Sequence, residues 1–451
     1  MELTRKLRFR ASLLKIGADG MFGVARDRAT AYRYILTGRK TAPVTDFDPF
    51  APETMRDPYP GYKTLFGGPK VWYSRKRGIW IIPGYDEVWQ ALRDDEALSS
   101  AESQARFRVH LQTMNATDAP VHTRLRRSVS RAFTPRAMKA WEANINRVAD
   151  ELVDAMVTRG RTELMEELAR PLPNRLIVQM LGIPQEDREQ FLAWADTINE
   201  AAFAPLNLHG MRLNMRSSQA VTAMHRSLDP MIQERRGTKG DDLISMLAAP
   251  SGDDTLSDDE VFWSASMLVG AGSETTTNLL TGLFLTLAQR PDVYTRLRAQ
   301  PDLIPAAIEE QLRLVSPVQG FYRTATRDYR VGDETIPAGA RVLLLFAAAN
   351  RDPRHFENPD VFDLDRSPND HVAFGGGAHY CLGTHLTRME VARVLTQLIP
   401  RVKEIRLAGQ HRYLVNATMR GLEYLPLEFV AADDAGVAGA ATGAAAGAAE
   451  N

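Results

Sequence analysis

One cysteine, Cys381, stands among 451 residues, in the run Phe374-Gly375-Gly376-Gly377-Ala378-His379-Tyr380-Cys381-Leu382-Gly383. A single thiol excludes an internal disulfide and any cage of several cysteines, so the fold must rest on its own apolar core. By default a lone cysteine is a small buried apolar residue. Its neighbours point elsewhere. Three consecutive glycines let the backbone turn through positive φ, or approach a large flat group where a Cβ would clash. The amphipathic segment Leu382–Leu398 reads as a helix whose first amides face the sulfur, which favours a thiolate. A thiolate ringed by backbone donors suits a metal, and haem iron is the metal commonly held by one thiolate.

Composition narrows the class. Hydrophobic content of 44% and charged content of 25% fit a globular enzyme with a sizeable core. A formal net charge of -1 gives no pull toward nucleic acid. One reduced cysteine suits the cytoplasm, and the N-terminus lacks the continuous apolar core of a secretory signal. The apolar stretch Val261–Gln289 is interrupted by Glu274 and rich in Ser and Thr, so it reads as a buried helix rather than a membrane span.

Both ends read as appendages. Residues 1–40 hold ten Lys/Arg against three Asp/Glu, with Leu3, Leu7, Ala11 and Leu14 on one helical stripe and Arg5, Arg8 and Lys15 on another. That pattern is either a basic helix in peripheral contact with a membrane or a solvated face docked on the protein. In residues 431–451, fifteen of twenty-one are Ala or Gly, the composition of a disordered tail. Between them, residues 41–430 read as one large domain. Helical periodicity predicts Tyr85–Arg93, Val121–Phe133, Ala137–Thr158, Asp187–Asn199, Asp258–Arg290, Pro305–Leu314 and Leu382–Leu398. Short strands are predicted at Val71–Tyr73, Gly78–Ile82, Tyr329–Val331 and Arg341–Leu345. No βαβ series alternates, so the fold class is mainly α with a minor β region.

Other constellations are weak singly. Gly270-Ala271-Gly272-Ser273-Glu274-Thr275-Thr276 puts two glycines mid-helix, each costing roughly 1 kcal/mol against alanine. They serve either close helix packing or a ligand pressed on the backbone, beside which Glu274 and Thr275 offer an acid and an alcohol for proton delivery. Glu310 and Arg313 share a helical face, as most surface ion pairs do. His122 and Arg126 share one face of their helix, whereas Arg124, Arg127 and Arg131 share another that could meet a partner. Arg323 is a candidate anion ligand or a surface residue. His379, Cys381, His385 and Met389 carry the donors of a blue-copper site, but His385 and Met389 lie on a helix running away from the sulfur.

Together these residues resemble the cytochrome P450 family of haem-thiolate monooxygenases, over roughly residues 45–430. The loop Phe374–Gly383 resembles the family's haem-binding pattern, with His379 at its basic position. Ala271–Thr276 resembles the oxygen-activating helix motif, and Glu310, Arg313 and Arg366 its Glu-x-x-Arg network. The resemblance implies a single helical domain holding haem b between the long central helix and the cysteine loop. Cys381 would be the metal ligand, with Ala271, Phe374, Gly375 and Gly383 against the cofactor. His122, Arg126, Arg323 and His379 would neutralise its propionates, and Glu274 and Thr275 would manage protons.

The implied reaction inserts one atom of O2 into an apolar substrate, by hydroxylation or epoxidation. Electrons would come from a separate ferredoxin and reductase, or a flavodoxin-type donor, docking near Arg124, Arg127 and Arg131. A peroxide-driven peroxygenase and a haem sensor are rivals, both disfavoured by the acid–alcohol pair. The protein is expected to be a cytoplasmic monomer. Implied substrate contacts are Met267, Gly270, Val318, Phe321 and Met419, the loop Ser99–Asp118 and the segment Ala195–Met215. Arg106 and Arg108 could meet an acidic head group. Phe203, Leu206, Leu208 and Met211 read as an apolar lid, favouring a lipid-like, terpenoid or steroid-sized compound.

Overall fold

The computed structural model describes residues 42–432 apart from 107, 203–207, 239, 251 and 253, together with 23, 25–27, 29, 30 and 33; the side chains of 199, 202, 208, 209 and 211 lie outside that description. The amphipathic stripe of residues 3–15, the tail beyond Ala432, and Phe203 and Leu206 of the predicted lid therefore fall outside it, as do the side chains of Leu208 and Met211. Among the described residues, no helix is long and apolar enough to cross a membrane.

The organising element is the central helix Asp258–Gln289, 32 residues long. At 1.5 Å per residue it runs about 48 Å, the span of a whole domain. Its start is strongly encoded: Ser257 accepts from the Glu260 amide while Glu260 accepts from the Ser257 amide, a reciprocal capping box. Asp258, Asp259 and Glu260 place negative charge at the positive end of the helix dipole. Its buried residues, from Val261 through Leu287, join the main apolar cluster with Ile145, Val153, Leu176, Leu395 and Ile405. Helix Pro135–Arg159 is opened by the Thr134 cap and a proline in its first turn, and is closed by Gly160 at φ 68°.

The predicted helices form, shifted by a few residues at their ends: Tyr85–Ala91, Val121–Ser130, Arg188–Ala202, Ile304–Val315 and Thr384–Leu398. The last begins at Thr384 rather than Leu382. Helices Pro171–Met180 and Leu208–Arg235 escaped the sequence reading. In the second, Leu213, Val221, Met224, Leu228 and Ile232 are buried at helical spacing, but Arg, Ser and Gln between them dilute the stripe.

The minor β region is a sheet in the order Trp72–Ser74, Ile79–Ile82, Arg341–Leu344, Phe321–Ala325 and Leu98–Ser99. Its central pair is parallel, with Trp80 opposite Val342, and the other pairs are antiparallel. Ile79, Trp80, Ile81 and Ile82 are all buried, which explains a continuous apolar run without alternation. A second sheet joins Arg161–Glu163, Pro426–Ala431 and Val402–Leu407.

Candidate active site

The central helix, the cysteine loop and strand Phe321–Ala325 line a cavity of about 230 Å³. Cys381 and Phe374 line one side, and Ala271, Gly272 and Thr275 of the central helix line another. The loop is shaped by backbone needs. Gly377 has φ 63°, and a Cβ there would sit 2.2 Å from the Leu92 carbonyl, so only glycine fits. Gly375 has φ 71°, and the Cys381 amide donates to the Phe374 carbonyl at 3.0 Å, closing the loop. Burial pushes the Cys381 thiol up, against the Gly383 amide and the charges of Arg126 and Arg388, which favour the thiolate.

A cluster of basic groups collects at the cavity edge. His122 and His379 pack against each other with ring centroids 4.1 Å apart and planes tilted by 38°, and each has a buried Nε2 without a hydrogen-bond partner. Burial, with the charges of Arg323, His122 and Arg126 beside it, pushes His379 down to about 2. Burial likewise lowers His122, and lowers Arg323 to about 10 despite Asp118 and Asp95 nearby. Arg323 is 4% exposed and spends one donor on the neighbouring Tyr322 carbonyl. Arg126 lines the cavity and reaches the Tyr380 carbonyl, next to the cysteine. Four basic side chains crowded together with orphaned donors form a site for a dianion. A haem, with two carboxylates on a flat apolar ring, fits these donors, the glycine backbone and the thiol.

On the opposite wall, Thr275 Oγ1 donates to the Ala271 carbonyl at 2.9 Å, and the helix runs on unbroken. Glu274 is not part of the cavity wall. Burial, with the nearby Asp196 carboxylate, raises its carboxyl. The would-be Cβ of Gly272 meets Ile177 at 3.4 Å, and Gly272 and Ile177 both line the cavity. Close packing and ligand space are served by the same residue.

Glu310 and Arg313 are not a surface pair. Both are 0% exposed, joined by two 2.8 Å hydrogen bonds, and Arg366 and Asn369 add donors to the same carboxylate. Arg313 also donates to the Asn350 and Pro359 carbonyls, stitching the loop that precedes Phe374. A second anchor was missed from sequence. Arg388 pairs with Glu309 at 2.7 and 2.8 Å while lying 4.8 Å from the centroid of the Phe374 ring. Also missed was Glu390, 1% exposed, with one orphaned carboxylate oxygen and a hydrogen bond from Thr276.

Met267, Val318 and Phe321 line the cavity, but two predicted substrate contacts do not. Gly270 faces away from it, and Met419 is 6% exposed, bridging by its backbone to Val318. The loop Ser99–Asp118 contributes Gln104, Met114 and Asn115 to the wall. Arg106 and Arg108, the candidates for an acidic head group, are both paired with Asp27, and Arg108 is 2% exposed. The arginine stripe is also partly spent: Arg124 is held by Glu260 and Arg127 by Asp254. His385 is exposed on its helix, apart from the His122–His379 pair.

A sequence profile described as Cytochrome P450 matches residues 62–403. The chain is similar to the beta-dihydromenaquinone-9 omega-hydroxylase of Mycobacterium tuberculosis, 38% identical over 408 residues, covering 89% of this chain and 81% of that protein. P450BioI, solved in complex with acyl carrier protein ligated with hexadec-9Z-enoic acid, is 34% identical with a TM-score of 0.77, covering 84% of this chain and 100% of that one. CYP109E1 from Bacillus megaterium, solved with corticosterone, is 32% identical with a TM-score of 0.75, covering 83% and 99%. A thiol in a glycine loop faces a mid-helix threonine across one cavity, and the family profile spans most of the chain. The chain belongs to the cytochrome P450 family, haem-dependent monooxygenases that insert one atom of O2 into an organic substrate with electrons from redox partners.

Proposed function

We propose that this enzyme hydroxylates a long, apolar, isoprenoid-like chain, using haem b and electrons from a ferredoxin. The observation that carries the reading is the division of the cavity. Basic groups crowd one edge, while most of the remaining wall is apolar, with Met114, Ile177, Met267, Leu268, Val318 and Phe321 interrupted by Gln104, Asn115 and the threonines. The similar hydroxylase acts on a menaquinone, whose tail is such a chain. Fatty acyl and steroid ligands, found with the solved relatives, are the competing classes.

When bound, the haem iron activates O2 and supplies the transferred oxygen atom. Cys381 would hold the iron, and His122, Arg126, Arg323 and His379 would hold the carboxylates, whose negative charge favours the protonated imidazoles that burial disfavours. Thr275 is placed to turn its hydroxyl from the Ala271 carbonyl toward a guest in the cavity. Glu274, with its raised carboxyl, would keep a proton in reserve, with the exposed Asp196 as the outer station toward solvent. Apolar walls exclude water from the transfer and align the substrate chain. For the donor, Arg127 on the helix that carries Arg126 and Arg131 just past its end are over half exposed.

Titrating the ferric protein with isoprenoid quinones, fatty acids and steroids, and following displacement of water from the haem, tests the substrate class. Tightest binding by isoprenoids, with an oxidised chain as product, is expected. Tighter binding and faster turnover of steroids would overturn it.

A further inference from the structure

The loop that supplies Gln104, Met114 and Asn115 to the cavity wall is held from outside by a residue far up the chain. Asp27, helical and 1% exposed, accepts from Arg106 Nη1 at 2.5 Å and from Arg108 Nε at 2.7 Å. Arg108 continues to Glu102 and to the Gly339 carbonyl at 2.5 Å. Glu102 accepts from Thr324 at 2.8 Å, and Arg341, fully buried, donates to Thr324 at 3.1 Å and to the Ser103 carbonyl at 2.6 Å. The Gln104 carbonyl accepts from the Tyr322 amide at 3.0 Å. Thr324 and Tyr322 flank Arg323, so the same network reaches the strand that bears a basic group of the cavity. Arg26, the neighbour of Asp27, adds a contact to Glu102 at 2.8 Å.

The charge balance singles out Asp27. Arg106, Arg108 and Arg341 are three guanidinium groups with little or no exposure, and among the described residues Glu102 and Asp27 are the carboxylates that answer them. Without Asp27, three buried cations would face one anion, and an uncompensated buried charge is relieved by moving it toward water. The route to water is outward movement of residues 105–108, which carries Gln104 with it. We infer that Asp27 is a positioning residue that sets the shape of the substrate chamber by clamping the loop 100–113 against the sheet. This rests on the reading of the cavity as the substrate chamber.

The test uses the haem-loaded full chain, D27A and the isosteric D27N. Limited trypsin digestion reads the loop directly, because Arg106 and Arg108 become cleavage sites once freed. Titrations with 4-phenylimidazole, which must fill the chamber, and with imidazole, which need not, read its shape. Both variants should be cut within residues 100–113 about tenfold faster than the parent. They should bind 4-phenylimidazole about fivefold more weakly, with imidazole affinity within about twofold. R106Q, which breaks the pair from the loop side, should reproduce both effects, and adding it to D27N should change little further. A lowered melting temperature with parental digestion and parental affinities would overturn the inference and leave Asp27 a general stabiliser. D27N keeps it falsifiable if D27A does not fold. Failure of the parent protein to bind 4-phenylimidazole would instead strike the reading of the chamber itself.

Discussion

His122 and His379 lie 4.1 Å apart between ring centroids, their planes tilted by 38°, each with a buried Nε2 that no protein group satisfies. Two orphaned donors at the mouth of one cavity are explained by a ligand that brings acceptors. Replacing His379 by Ala should speed transfer of haem to a competing apo-globin by about tenfold, the scale of one lost charge-assisted hydrogen bond. Arg323→Gln should do at least as much. The rate of haem loss, read by absorbance, checks both.

Glu310 and Arg313 form a fully buried pair that also holds Arg366 and the loop carbonyls. Removing one partner leaves a buried charge uncompensated, a cost of about 3–5 kcal/mol. Glu310→Ala should therefore yield little folded holoprotein, measured as haem content of the soluble fraction. Arg313→Lys should fail nearly as badly, because an ammonium cannot reproduce the fork.

Burial pushes Glu390 up to about 8 from 4.5, outweighing the hydrogen bond from Thr276. A carboxyl raised in the folded state gives stability that is complete below 4.5 and is lost as pH rises through about 8. Glu390→Gln stays neutral throughout. Its melting temperature should match the parent near the lower bound and exceed it at and above the upper one, which a thermal series across pH would show.

Thr275 and Thr276 put central-helix hydroxyls on the cavity wall, and Glu274, next to Thr275 in sequence, has its carboxyl raised by burial. Thr275→Ala should leave substrate affinity near parental while diverting consumed electrons to peroxide. The ratio of peroxide to hydroxylated product is the measurement. Glu274→Gln should slow turnover more than it changes that ratio, since the acid does not reach the cavity wall.

The helices with a strong apolar stripe were legible in the sequence, because burying that stripe against the core is what forms them. Leu208–Arg235 was not, since Met, Arg, Ser and Gln blur its face. Residues of the site were legible where local chemistry is unusual, as with Cys381 among glycines. What the sequence hid were partnerships made by folding alone. Arg388 finds Glu309, Arg108 finds Asp27, and Glu274 comes under the charge of Asp196. Arginines that look solvated in a loop are buried because a distant carboxylate meets them. Met419 drew attention by motif position, yet it is buried in an apolar cluster with Val318, its backbone partner, and is not part of the cavity wall.

The central claim is that the cavity holds one haem ligated by Cys381. The most direct measurement is the absorption spectrum of the reduced protein under carbon monoxide, for the parent and for Cys381→Ala. One haem per chain with the red-shifted Soret band of a thiolate-bound carbonyl complex is the expected result, and that band should vanish in the variant while its helical circular dichroism persists. A parent without haem, or a variant with an unchanged band, would contradict the account.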